Sequence, residues 1–376
     1  MPLPSSMSKI DSSRESWNLG VEVPRLNVFD DRFCRWLQER LSADRIGLVS
    51  VNTPTGNGGS SSTYFVCVDI EAATRSRRTF VVRVKPDAFR VFMRDNFEAQ
   101  FHLLVHLHSY SDVPVPKAYF YEPDPVVLGG PFYVMEKVEG RVPPDFPSYN
   151  AAGFLFDASV TQRHELWRSA LAATAKIARV DIARMPTIVD LAPGESGLDE
   201  TLRHWTESMN WVYQGSPPPF VERVNVWLWR NKPNNAQAGL SWGDARIGNM
   251  IFRDWTCAAV LDWESASLAG PVLDLAHWLL MDEFWSTHLG IQPLPGFGSR
   301  NETIALWEDL SGCTAHDLEW FEVLDAYRLA LLWDRIKFLR GLAAAQAAGI
   351  ADVNGDTVGM RQLRNVVERH IGPLRT

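Results

Sequence analysis

Two carboxylates and an amide bound the chemistry open to this chain. Asp244 and Asn249 stand in the stretch LSWGDARIGNMIF (240–252), hemmed in by Leu240, Trp242, Met250, Ile251 and Phe252. Asp262 ends the apolar run at 258–261. Asp and Asn are common turn residues, so each alone carries little information. Together they are more specific. A carboxylate and an amide on neighbouring short strands offer the oxygen ligands that Mg²⁺ takes, with phosphate and water completing its shell. That pairing nominates Asn249 and Asp262 as metal ligands and leaves Asp244 to accept a proton from an attacking hydroxyl. Gly243, just before Asp244, permits a backbone turn that other residues resist.

Other residues fit this chemistry less sharply. Arg83 and Lys85 in FVVRVKP (80–86) lie two apart and share one strand face. They read either as a solvated edge feature or as a phosphate contact, and the sequence does not choose between them. PTGNGGSSS (54–62) separates two strands. It reads as a hairpin loop, or as a lid whose backbone N–H groups at Gly58, Ser60 and Ser61 approach phosphates. It has neither the lysine of a phosphate-binding G-x-x-x-x-G-K-[ST] loop nor a G-x-G-x-x-G pattern. Glu264 reads as a second metal ligand or a structural carboxylate. Arg246 reads as a substrate contact or a salt bridge. His277, in the apolar DLAHWLL, reads as a satisfied core residue.

The elements that must position these residues follow from periodicity. Helical spacing marks 26–42, and β-branched and aromatic runs mark strands at 47–53, 63–70 and 78–86. A helix at 88–110, an extended segment at 113–122 and a strand at 131–140 follow. Beyond Gly140 the pattern turns helical: 163–180, 198–213, 221–231, 272–286, 316–347 and 357–370, interrupted by short strands in 240–252 and 257–265. The chain is therefore α+β. Its expected parts are a disordered leader (1–25), a small α+β part (26–138) and a larger, mostly helical part (139–376).

Composition excludes some functions. The chain of 376 residues carries a net charge of −8, which argues against nucleic acid or an anionic membrane as partner. Its four cysteines form no C-x-x-C pair, so a zinc site or disulfide framework is not expected and a cytoplasmic setting fits. The first residues lack a signal-peptide pattern, and no apolar run approaches the roughly 20 residues that span a bilayer. Nothing in the sequence sets the oligomeric state.

The run W-G-D-A-R-I-G-N…V-L-D-W-E…D-L-A resembles the H-G-D-x-x-x-x-N…I-D-W…D-L-A signature of the aminoglycoside phosphotransferase-like family, over roughly residues 45–345. VPVPKAYFYEPDPVVLGGPFYVMEKVEGRVPPD and WGDARIGNMIF are similar to the branch akin to phosphotransferase domains associated with acyl-CoA dehydrogenases. The resemblance implies a bilobal protein-kinase-like fold: a small lobe with an antiparallel sheet and one helix, and a larger, mainly helical lobe. It implies ATP and Mg²⁺ as cofactors and a hydroxylated small molecule as acceptor, either an aminoglycoside-like antibiotic, a hydroxyacyl-CoA or another metabolite. Asp244 would be the catalytic base, with Arg246 beside it in the catalytic loop. Asn249 and Asp262 would hold Mg²⁺. Arg83 stands where the family has a lysine that contacts ATP phosphates, with Lys85 as the alternative. Gln100, or Glu98 two residues before it, would be the partner on the following helix. Met135 to Val138 would form the adenine hinge through backbone groups of Glu136 and Val138. Asp274 would brace the catalytic loop. Trp242 replaces the family's His and is expected to be buried, bracing the loop by packing. The departures at Arg83, Gln100 and Trp242 leave a second reading open, a pseudokinase-like module that binds nucleotide without transferring phosphate.

Overall fold

The computed structural model describes residues 29–54, 62–85 and 90–372. The expected leader (1–25) and Gly58, Ser60 and Ser61 of the glycine–serine loop lie outside the described residues. The first helix, α1 (Asp31–Leu41), is capped by the Asp30 carboxylate and ends at Ser42 in the left-handed region, so it is shorter than its periodicity predicts. Three antiparallel strands follow: β1 (Arg45–Asn52), β2 (Ser62–Glu71) and β3 (Arg75–Val84). After α2 (Phe97–Tyr110) come β4 (Ala118–Glu122) and β5 (Phe132–Glu136). The five strands form one sheet in the order β1-β2-β3-β5-β4.

Period-2 alternation sends the two faces of this sheet to different tasks. Tyr64, Val66, Phe80, Val82, Phe132 and Val134 pack against Phe33, Trp36 and Leu37 of α1. Val81, Tyr133 and Met135, on the other face, join Phe97, Phe101 and Leu104 of α2. Arg83 is two residues beyond Val81 and so is carried on the α2 face, toward the cleft. The helix expected from residue 88 begins only at Phe97. Asn96, at its N-terminal boundary, makes no side-chain capping bond. Its amide instead donates to the Glu264 carbonyl, tying the helix start to the other lobe.

The larger lobe contains α3 (Val160–Ala178), α4 (Gly197–Val212), α5 (Pro219–Arg230), the hairpin β6 (Met250–Arg253)–β7 (Thr256–Val260), α6 (Val272–Phe284), α7 (Arg300–Ser311), α8 (Leu318–Arg340), α9 (Leu342–Ala347) and α10 (Val358–His370). The single helix expected at 316–347 breaks into α8 and α9 at Gly341, where φ is 81°. The sequence reading missed α7, although Ser299 and Glu302 form a capping box at its start. The fold is the bilobal kinase-like one, an antiparallel sheet with helices followed by a helical lobe. Among the described residues no helix is long and apolar enough to cross a membrane.

The linker between lobes is fixed at Gly140. The next residue, Arg141, exchanges two backbone hydrogen bonds of 2.8 Å with Phe252 of β6. Gly140 has φ of 154°, and a Cβ there would sit 2.5 Å from Ile251 Cγ2 and 2.6 Å from the Phe252 carbonyl oxygen. Gly140→Ala should therefore lower stability by about 1–3 kcal/mol in chemical denaturation. Gly194, at φ of 80° but facing open space, supplies the control: Gly194→Ala should cost less. Equal losses at the two positions would show that the close approach to β6 is unimportant.

Candidate functional site

The loop before Asp244 is held by one carboxylate. Asp274 lies in the first turn of α6 and is buried. It accepts from Ser241 Oγ, Trp242 N and Gly243 N, each at 2.8 Å. Burial raises its pKa, and these three donors oppose that shift. Trp242 is fully buried. It does more than pack: its Nε1 donates to the Leu261 carbonyl at 2.8 Å and the Asp262 carbonyl at 3.2 Å, which corrects the expectation of bracing by packing alone. The indole thus joins the Asp244 loop to the Asp262 turn. Gly243 adopts φ of 85° where a Cβ would lie 2.2 Å from the Ser265 carbonyl oxygen. Only glycine fits so close to that backbone.

Asp244 is surrounded by donors. His277 Nε2 lies 2.9 Å from its Oδ1, and Arg246 Nε donates to the same oxygen at 3.1 Å. Asn249 Nδ2 donates to Oδ2 at 2.6 Å. Burial would raise the Asp244 pKa, but Arg246, His277 and Asn249 outweigh it and hold the carboxyl well below the usual range. An ionised carboxylate offers about four lone-pair positions. Two on Oδ1 and one on Oδ2 are used, which leaves one on Oδ2 for an incoming proton.

Arg246 is a salt-bridging residue in this arrangement. Its Nη1 donates to both carboxylate oxygens of Asp145 at 2.7 and 2.8 Å while Nε holds Asp244. Asp145 was not anticipated; it lies a hundred residues upstream and no spacing links it to the loop.

Asn249 and Asp262 are the residues that the sequence nominates for a divalent cation, and both carry oxygen donors of the kind Mg²⁺ takes. Because Nδ2 of Asn249 is committed to Asp244, its Oδ1 is the atom left for a cation. Leu261 N donates to the Asn249 backbone carbonyl at 2.9 Å, which ties the two segments together. Asp262 adopts φ of 61°. Among the described residues no cluster of three or more His, Cys, Asp or Glu side chains forms a metal cage. A pair of oxygen ligands completed by phosphate and water is the usual pattern for Mg²⁺.

Arg83 points into this site. Its Nη2 donates to Asp262 Oδ1 at 3.4 Å, lies 4.0 Å from Glu264 Oε2, and the guanidinium sits 5.9 Å from the centre of the Tyr133 ring. Burial pulls its pKa down, but Tyr133, Asp262 and Glu264 outweigh that. Lys85 turns instead to Asp95. The expected helix partner is corrected. The Gln100 amide donates to Asn96 Oδ1 at 2.9 Å, and its Oε1 has no partner among the described residues. Glu98 is exposed and faces His102 of the same helix. The carboxylates near Arg83 therefore come from the 262–264 turn. In the segment expected to be the hinge, Glu136 N donates to the Lys117 carbonyl at 2.8 Å, while Met135 is buried in the sheet. Val138 lies in the segment leading to Gly140.

A cavity of about 250 Å³ opens between α2 and α4 behind Glu264, with Arg94, Asn96, Glu200 and His204 among its walls. Asp244, Asn249 and Asp262 do not line it. The acidic residues of α4 are already engaged: Asp199 with Lys232, Glu200 with Arg94, and Glu207 with Arg203.

His277 was read as a core residue and is buried as expected, but its contacts reach the site. Nδ1 lies 3.0 and 3.1 Å from the Asp325 oxygens while Nε2 faces Asp244. Burial alone would lower its pKa; Asp325 and Asp244 more than offset this and push it up to about 9. The sign follows. An unfolded histidine titrates near about 6.5, so this contribution to stability is complete below that pH and is lost as pH rises through about 9. Asp274 and Arg328 are the other charged groups close to this pair. Chemical denaturation at about pH 7 and about pH 9.5 should show wild-type stability falling, and a smaller fall in His277→Gln. The same fall in both proteins would refute this.

Comparison with known proteins gives the family and the fold. The profile of the phosphotransferase enzyme family matches residues 53–313. The acyl-CoA dehydrogenase family member 11 of Mus musculus is 28% identical over 309 residues, covering 79% of this chain and 36% of that protein, so the chain spans about a third of its relative. A proposed aminoglycoside phosphotransferase from Ralstonia eutropha shares the fold with a TM-score of 0.62 at 22% identity, covering 90% of this chain and 95% of that one. Choline kinase LicA from Streptococcus pneumoniae does so with a TM-score of 0.52 at 14% identity, covering 89% of this chain and 97% of that one. Residues 53–313 extend from the small-lobe sheet through the Asp244 loop and α7, and on that match the chain belongs to the phosphotransferase enzyme family.

Proposed function

We infer that the chain transfers the γ-phosphoryl group of ATP to the hydroxyl of a small molecule. The observation that carries this reading is the one lone pair left on Asp244 Oδ2, beside the Asn249–Asp262 pair. The acceptor oxygen forms a bond to the γ-phosphorus, the bond from that phosphorus to the bridging oxygen of ADP breaks, and the hydroxyl proton passes to Asp244. Mg²⁺, held by Asn249 Oδ1 and the Asp262 carboxylate, would neutralise charge on the terminal phosphates. Arg83 would approach the same phosphates from β3, and Glu136 and Val138 would offer backbone groups to adenine. Such transfers have a loose transition state with little proton-transfer demand, so an oriented carboxylate serves even when its own pKa is low.

The donor environment of Asp244 also bears on the pseudokinase-like reading. Trp242 and Asp274 brace the loop by direct hydrogen bonds, so the departure at Trp242 does not disable it. An acceptor of high positive charge calls for uncommitted carboxylates, and Asp199, Glu200 and Glu207 are ion-paired. Of these only Glu200 lines the cavity beside α4, and Asp244 does not, so their pairing does not select among an aminoglycoside, a hydroxyacyl-CoA and another hydroxylated metabolite.

Release of ADP over a panel of alcohols, hydroxyacyl-CoAs and aminoglycosides tests the activity. Asp244→Asn should keep its fold and its calorimetric affinity for Mg·ATP while losing about 10²–10⁴ in turnover. Normal turnover in that variant would remove Asp244 from the role of base. Asp262→Ala should weaken Mg·ATP binding by about tenfold or more; unchanged affinity would remove it from the metal site.

A further inference from the structure

His277 is the one buried histidine in contact with Asp244, and nothing in the family match or in the sequence pattern gives it a task. We propose that His277 is a positioning residue for phosphoryl transfer, an imidazolium strung between Asp325 and Asp244 that fixes which lone pair of Asp244 faces the acceptor. The proposal rests on Asp244 being the base.

The geometry leaves few alternatives. His277 and Asp325 are 1% and 0% exposed, so water does not stand in for either partner. Both ring nitrogens lie within 3.1 Å of carboxylate oxygens. A neutral imidazole donates from one nitrogen only, and the lone pair of the other would then face a carboxylate lone pair in a dry, low-dielectric setting. A doubly protonated ring satisfies both sides. It also compensates the buried Asp325 and the partly buried Asp244, which would be costly unpaired.

The chain of contacts does not end at Asp325. Arg328, also buried, lies 3.1 Å from Asp325 and donates to the Gly243 carbonyl. Gly243 is the residue before Asp244. One turn of α8 thus reaches the base by two routes, through His277 to its side chain and through Arg328 to its backbone. With His277 and Arg246 on Oδ1, that oxygen is closed to the acceptor. Rotation of the carboxylate would break both contacts, so the open position stays on Oδ2.

The test uses the full chain and Mg·ATP, with water as the acceptor and ADP as the readout. His277→Leu should lose about 10–100-fold in kcat, the scale seen when a supporting hydrogen bond to a reacting group is removed. The KM for Mg·ATP should stay within about twofold, because the nucleotide contacts are untouched. His277→Gln, which keeps one donor where Nε2 stood, should recover part of the loss. A purely structural role predicts instead a lower Tm and a KM that rises with the fall in kcat. Nitrogen-15 NMR of the wild-type protein near neutral pH supplies a readout that needs no variant to fold. It should show both ring nitrogens of His277 protonated. A singly protonated ring, or full kcat in His277→Leu, overturns the proposal. Full turnover in Asp244→Asn is a different outcome: it removes the base assignment itself, whatever His277 shows.

Discussion

The site depends on keeping an ionised carboxylate inside a protein without neutralising it by protonation. Burying an aspartate would ordinarily raise its pKa. At Asp244 the cost is offset by a closed set of donors, His277, Arg246 and Asn249, each drawn from a different part of the chain or held by a different partner. Those donors need anchors of their own. Asp325 and Arg328 stand behind His277, Asp145 stands behind Arg246, and Asp274 holds the backbone that presents Asp244. Helices α6 and α8 share an apolar cluster, and the His277–Asp325 pair joins them across it.

A second constraint joins the two lobes. Arg83 on β3 reaches Asp262, and Asn96 at the start of α2 reaches the Glu264 carbonyl. Both contacts end on the short turn after β7, which Trp242 also holds through the Leu261 and Asp262 carbonyls. The small lobe, the proposed metal ligands and the proposed base are therefore joined at one turn. In the proposed reaction, nucleotide bound under the sheet and acceptor bound on the helical lobe meet there. An oriented base of low pKa suits that arrangement, since positioning and charge neutralisation dominate phosphoryl transfer.

Much of this was legible in the sequence, for specific reasons. Strands β2 and β3 carry β-branched and aromatic runs, and the α+β order is plain from periodicity alone. Asp244, Asn249 and Asp262 stand out because polar residues in an apolar frame at short spacing are few. What could not be read was contact between distant segments. Asp145 and Asp325 lie far from the loop along the chain, and only the fold brings them to Arg246 and His277. The start of α2 was placed too early because apolar spacing in 88–96 mimics a helix, while Asn96 spends its amide on the other lobe. The resemblance pairs Gln100 with Arg83, but a one-turn local bond holds the Gln100 amide on Asn96 instead. The break at Gly341 was visible as a glycine, but periodicity on both sides concealed it.

The most direct measurement of the central claim is phosphorus-31 NMR of the wild-type protein with Mg·ATP and a pool of hydroxylated acceptors, at nucleotide concentrations shown by calorimetry to saturate it. A phosphate-ester resonance should grow in step with ADP. Saturated binding with ATP left intact would contradict the central claim and leave a nucleotide-binding module in its place; inorganic phosphate as the only product would contradict it and leave a nucleotide hydrolase.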